Sequence, residues 1–247
     1  MKIAVSGKGG VGKTLVAGVL AAFFAKRSFK VLAIDADPSP NLALTLGIPV
    51  NQARRIIPIS ENSKLIESKT KTGFKGVYRL SFSVDDIIKE FSVESPFGVN
   101  LLVMGTVRSA GSGCTCPANA VVKALIRHLL LECDEVVVMD MEAGVEHLGR
   151  GTAKHVDTML VVSDSSFKSL DTAKRIYELA TEMGIKEVFL VGNKIAGANE
   201  EELVKRFAAK NRIALLGLIP YDETIMKADV GGETPLKYFG ASGGMVA

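Results

Sequence analysis

The chain has 247 residues, 47% of them apolar and 23% charged, with 30 basic and 27 acidic side chains and a net charge of +3. That balance excludes disorder as the main state, because there is enough apolar surface to offset the ordering entropy, and it offers no charge excess of the kind nucleic-acid binding needs. Three cysteines are too few for a disulfide framework, so a reducing, cytoplasmic setting is expected.

Chain order begins with a strand at Lys2–Ser6, its apolar centre Ile3–Val5, followed by Gly7-Lys8-Gly9-Gly10-Val11-Gly12-Lys13-Thr14 and an apolar helix over Lys13–Lys26. Three lysines ahead of the run Leu15–Ala25 look superficially like a secretory leader. The same residues satisfy G-x-x-x-x-G-K-S/T between a strand and a helix, and the phosphate-loop reading takes precedence. Glycines without side chains let backbone N–H groups approach phosphate oxygens at a helix N-terminus. Lys13 is then expected at the β and γ phosphates and the Thr14 hydroxyl on Mg²⁺. No other apolar run approaches the roughly 18 to 20 residues that cross a bilayer, so no membrane span is expected.

A second strand, Val31–Ile34, ends in Asp35-Ala36-Asp37-Pro38, two acids at a sheet edge that can serve a metal-phosphate site or cap the following helix. Asn51 to Gly98 breaks the strand-helix alternation and reads as a helical or loop insertion, because its apolar residues are too few for a core of its own. A strand at Leu101–Met104 leads to the run Gly111-Ser112-Gly113-Cys114-Thr115-Cys116-Pro117 and a helix over Pro117–Leu131. Two thiols one residue apart can meet one soft metal, and the helix N-terminus should lower their pKa. One chain offers only two sulfurs where Zn²⁺ and similar ions favour four, so a symmetric dimer would complete the shell. An unliganded pair, a pair oxidised to each other and an iron-sulfur cluster remain open at this position.

Further on, Val136–Met139 runs into Asp140, an apolar strand ending in an acid that can hold a water on Mg²⁺, and Met141-Glu142-Ala143-Gly144 follows it. Then come a strand at Met159–Val162, a helix over Phe167–Met183 stopped by Gly184, and a strand at Val188–Val191. Next are Asn193-Lys194, a helix over Glu200–Ala209, and a strand at Leu215–Ile219 that leads into Pro220-Tyr221-Asp222. Asn193 can pair its amide with a nucleobase edge; strand-end turns without a ligand are the alternative. Cys133 is expected as a buried packing thiol, and His128, His147 and His155 as structural or surface residues. Continuous apolar strands imply cover on both faces, hence a doubly wound α/β fold with a mostly parallel sheet, read as one domain over residues 1–247.

With Lys8 inside the loop, the motif resembles that of the deviant Walker A ATPases, the group of MinD, ParA and the nitrogenase iron protein. The resemblance implies ATP and ADP as ligands and a homodimer in which Lys8 reaches the partner's phosphates. It assigns Asp37 to switch I, near the attacking water and Mg²⁺, with Asp35 nearer the metal's outer shell. Asp140 and Gly144 fall in switch II, with Asp140 near Mg²⁺, and Asn193, Pro220 and Tyr221 at the adenine. Together with Cys114-x-Cys116 and Met139-Asp140-Met141-x-Ala143-Gly144-x-Glu146-His147, the chain is similar to the CooC-type ATPases that deliver nickel to carbon monoxide dehydrogenase. This closer likeness runs from Met1 to about Asp229. It implies Ni²⁺ or Zn²⁺ on Cys114 and Cys116 at the dimer interface, and a nickel metalloenzyme as client. Two rivals stand beside it. One is an iron-sulfur carrier of the Mrp type, which usually uses C-x-x-C; the other is a MinD/ParA-like positioning ATPase, whose basic amphipathic tail helix is not evident in Gly231–Ala247.

Overall fold

Short Val-, Ile- and Leu-rich runs that are apolar on both faces have to be covered from both sides, and in the computed structural model they are. It describes residues 1–72, 78–79, 82–105, 117–144 and 155–238. In chain order these residues form β1 (Lys2–Gly7), α1 (Lys13–Lys26), β2 (Val31–Ala36), α2 (Leu42–Thr45), α3 (Val50–Ala53), α4 (Ser63–Thr70), α5 (Asp85–Phe91), β3 (Val93–Glu94) and β4 (Asn100–Val103). They continue with α6 (Pro117–Leu131), β5 (Val136–Met141), β6 (Thr158–Ser163), α7 (Phe167–Glu182), β7 (Glu187–Ile195), α8 (Ala198–Asn211), β8 (Ala214–Pro220) and α9 (Glu223–Val230).

The described strands make one sheet in the order β3-β4-β2-β5-β1-β6-β7-β8, parallel except for the antiparallel edge pair β3 and β4. Successive residues of each strand feed opposite cores. Ala4, Leu32, Ile34, Val137, Met139 and Leu190 pack under α6, α7 and α8, which contribute Leu125, Leu129, Ile176 and Val204. Ile3, Val5, Val31, Ala33, Val138 and Val162 pack on the other side under α1 and α2, with Val16, Ala17 and Leu42. The doubly wound, mostly parallel architecture expected from the strand composition is therefore the observed one.

Position follows from this order. The chain lays β2, β4 and β5 on one side of β1 and β6, β7 and β8 on the other. The direction of winding reverses at β1, and in open α/β sheets ligands bind at the carboxyl ends of strands beside such a reversal. β1 ends at Gly7, directly before the glycine-rich loop.

The irregular segment between residues 51 and 98 holds α4, α5 and β3, with Leu65, Val84 and Ile87 joining the core beneath α6. Gly184 stops α7 as expected, at φ +82°, and donates its N–H to the Thr181 carbonyl. Cys133 is half-buried against the core rather than enclosed by it. His128 lies 3.2 Å from Glu132, the residue just past the end of α6, and His155 is exposed. Cys114, Cys116, His147 and the tail from residue 239 lie outside the described residues. No helix among the described residues is long and apolar enough to cross a membrane.

Candidate nucleotide-binding site

Helix α1 starts without the usual cap. Its N-cap residue is Gly12, at φ +92° and with no side chain to accept an N–H, and its first turn holds no acid. The orphan amides of the first turn are left for an anion from outside.

The carbonyls of the loop, by contrast, are held. Gly7 O accepts from Gly144 N at 3.1 Å, Lys8 O from Lys13 Nζ at 3.3 Å, Gly10 O from Lys194 Nζ at 2.8 Å, Val11 O from Asn193 Nδ2 at 2.7 Å, and Gly12 O from Val16 N at 3.1 Å. A carbonyl already held by a donor is fixed in direction and has part of its negative charge offset, which favours phosphate at the neighbouring amides.

Glycine is needed here for space as well as for conformation. A Cβ on Gly7 would lie 2.3 Å from the Val162 carbonyl oxygen of β6, and one on Gly12 would lie 2.4 Å from Asn193 Nδ2. Gly12→Ala is therefore expected to dislodge Asn193 from Val11 and to force alanine into a left-handed backbone. Together these cost about 2 kcal/mol, a fall of about 4 to 8 °C in Tm at this chain length, measurable by thermal unfolding without nucleotide.

In front of the loop lies a cleft of about 660 Å³, within the range of small-ligand sites. Gly9, Gly10, Gly12, Lys13, Thr14 and Asp37 line one end, and Asn193, Lys194, Pro220 and Tyr221 the other. Ile225, Met226 and Asp229 of α9, a helix that the strand-helix alternation did not reveal, complete its far wall together with Pro235. The signal for α9 was present in Asp222, whose carboxylate accepts from Thr224 N at 2.7 Å as an N-cap. Lys8 is half-buried and, among the described residues, is not one that lines this cleft, nor does Val11, which is buried beneath it.

The two acids at the end of β2, Asp35 within it and Asp37 just beyond it, part company. Asp37 is half-buried at the cleft and accepts from Ser39 N at 2.8 Å. Asp35 is fully buried and accepts from Asp37 N at 3.1 Å and Leu42 N at 2.9 Å, so its carboxylate holds the turn into α2. Burial pushes its pKa up to about 6 against these hydrogen bonds, with the Asp37 charge adding to the rise. The helix-capping alternative thus describes the contacts Asp35 makes, and the outer-shell expectation gains nothing from them.

Asp140 sits beside Asp35 in the register of β2 and β5. It is 1% exposed, and neither carboxylate oxygen has a hydrogen bond of good geometry among the described residues. Burial is the main cause that lifts its pKa to about 7, with Asp35 and Asp37 adding to the rise, while Thr14 and Lys13 moderate it. Two orphaned, buried carboxylate oxygens next to Thr14 and behind a phosphate-type loop are the donor set that Mg²⁺ prefers, and the residues present fit that ion.

Comparison with known proteins agrees with this geometry. Over 236 residues the chain is 43% identical to the carbon monoxide dehydrogenase accessory protein CooC of Rhodospirillum rubrum, covering 94% of this chain and 88% of that one. It is 42% identical to an uncharacterised ATP-binding protein of Methanocaldococcus jannaschii, covering 94% and 90%. The fold is that of the septum site-determining protein MinD of Pyrococcus horikoshii, solved with Mg-ADP, at a TM-score of 0.68, 20% identity and coverage of 96% and 88%. Residues 2–236 match the model of the CobQ/CobB/MinD/ParA nucleotide binding domain, and the chain belongs to that family as one of its ATPases.

Proposed function

We propose that this ATPase delivers nickel to a metalloenzyme of the carbon monoxide dehydrogenase kind, carrying the ion between Cys114 and Cys116 of two subunits. The observation that supports it most is the presence, in a chain similar to the carbon monoxide dehydrogenase accessory protein, of both Lys8 in the loop and a C-x-C pair ahead of α6. Nucleotide-driven closure of the dimer would set the distance between the two thiol pairs and hence their affinity for the ion.

In this reading the roles divide by position. Lys13 leaves the Lys8 carbonyl for the β and γ phosphates, and the amides of Gly9 to Gly12 hold their oxygens. Thr14 and Asp140 hold Mg²⁺, directly or through water, and Asp37 orients the attacking water. When bound, the ion neutralises charge on the β and γ oxygens. Lys8 crosses to the partner's γ-phosphate, as an arginine finger does. Gly144, at φ +99° with no described residue within 4 Å of a Cβ position, would turn when its amide lets go of Gly7. Asn193, Pro220 and Tyr221 meet the adenine.

Metal analysis of purified protein tests the cargo. We expect about one Ni²⁺ or Zn²⁺ per two chains, on the shared-tetrahedron argument, and loss of both metal and metal-linked dimer in a Cys114→Ala, Cys116→Ala double variant. Full metal retention in that variant rules the reading out. An iron-to-sulfide charge-transfer band after anaerobic reconstitution would replace it with the iron-sulfur carrier.

A further inference from the structure

We propose that Lys194 is a positioning residue of the phosphate loop, acting on the main chain rather than on the nucleotide. The inference goes beyond the nickel reading and rests only on nucleotide binding at this cleft.

Lys194 lies in the irregular end of β7, beyond Gly192, with φ +61°, a left-handed conformation that residues with a Cβ rarely take. Glycine or asparagine would suit that backbone better, so a lysine there calls for another reason. The contact it makes supplies one. Its ammonium donates to the Gly10 carbonyl at 2.8 Å, while the preceding Asn193, 2% exposed, donates to the Val11 carbonyl at 2.7 Å. Two consecutive residues of one strand thus hold two consecutive carbonyls of the loop, from 182 and 184 residues away in sequence.

The consequence is electrostatic. Gly10 itself has φ +82°, and among the described residues no heavy atom lies within 4 Å of the Cβ position that it lacks, so no close neighbour crowds it on that side. Released, the Gly10–Val11 peptide can flip, and its carbonyl would then aim negative charge at a bound phosphate where an N–H should be. A hydrogen bond from a cation is among the stronger single restraints available. Lys194 therefore differs in task from Lys8 and Lys13. Those two supply charge to phosphates, whereas Lys194 keeps the amides facing them.

Two variants test this, Lys194→Met, which keeps the stem and removes the donor, and Lys194→Arg, which keeps a donor. Lys194→Met is expected to raise the KM for ATP and the Kd for ADP about tenfold, the scale of one charge-assisted hydrogen bond, with kcat within threefold of wild type and Tm within about 2 °C. Amide hydrogen exchange over residues 7 to 14 of the nucleotide-free protein should quicken, and Lys194→Arg should restore most of the affinity. Unchanged exchange in the loop together with a fall in kcat would show that the ammonium serves the phosphate directly, and would overturn the proposal. So would unchanged KM and Kd, or a fall in Tm large enough to account for the loss. Because the exchange measurement needs no nucleotide, it reads the hold of Lys194 on the loop separately from whether the wild type binds ATP.

Discussion

Lys8→Ala should lower ATP hydrolysis by about 10³-fold, the lower end of what an arginine finger contributes, while ADP affinity stays within about threefold of wild type. The two halves of this expectation have different grounds. Lys8 does not line its own cleft among the described residues, so truncating it removes nothing from the resting site. Its main chain matters to that site, because the Lys8 carbonyl receives Lys13 Nζ, and alanine keeps that carbonyl. A mixing experiment separates action across subunits from action within one. Lys13→Ala subunits are expected to lose nucleotide while still presenting Lys8, so mixing them with Lys8→Ala subunits should recover part of the activity. A mixture as inactive as its components, or a Lys8→Ala variant that binds ADP poorly, would show that the lysine works within its own chain.

Asp140→Asn is expected to do two opposite things. Without nucleotide it should stabilise the protein at pH 8 by about 2 to 4 kcal/mol, because a carboxylate whose charged form burial strongly disfavours is replaced by a neutral amide. The sign follows from linkage. A carboxyl raised from 3.8 to about 7 by burial contributes stability that is full below its unfolded value and lost as pH climbs through its folded one. The advantage of asparagine should therefore shrink between pH 8 and pH 5, which melting curves at the two values would register. In the presence of Mg-ATP the order should reverse. The wild type gains the binding energy of the complex, whereas the amide offers the cation no charge, and nucleotide affinity should fall about 10²-fold with hydrolysis falling further. An Asp140→Asn variant less stable than wild type at pH 8 would mean that the carboxylate is already partnered.

Sequence and structure agree best where a single physical constraint acts alone. Runs such as Val136–Met139 are apolar on both faces, and only a covered parallel strand accommodates that, so the central strands could be read directly. α2 and β3 span four and two residues, too short for any period to show. The glycine-rich loop was equally legible, since its spacing answers one requirement. Asp35 and Asp37 were told apart only by the family resemblance, because two acids flanking one alanine carry the same local signal. Their difference lies in which of them the turn into α2 captures, a tertiary fact. Asn193-Lys194 marked a strand end near the base, but nothing local told that both side chains reach back to the loop. That pairing depends on β7 lying two strands from β1 and running on past the level of Gly7, which pairs with Val162 as Val162 pairs with Val191, and only the assembled sheet supplies this.

The crowding at the two loop glycines differs in a way that bears on how such a chain can change over generations. At Gly12 the obstacle is the Asn193 amide, a side chain that a second substitution can shorten. At Gly7 it is the Val162 oxygen, part of the peptide chain, which every residue type at position 162 would present alike. Damage at the first site has a compensating route open to it; damage at the second has none short of prising neighbouring strands apart, so position 7 has far fewer evolutionary exits than position 12.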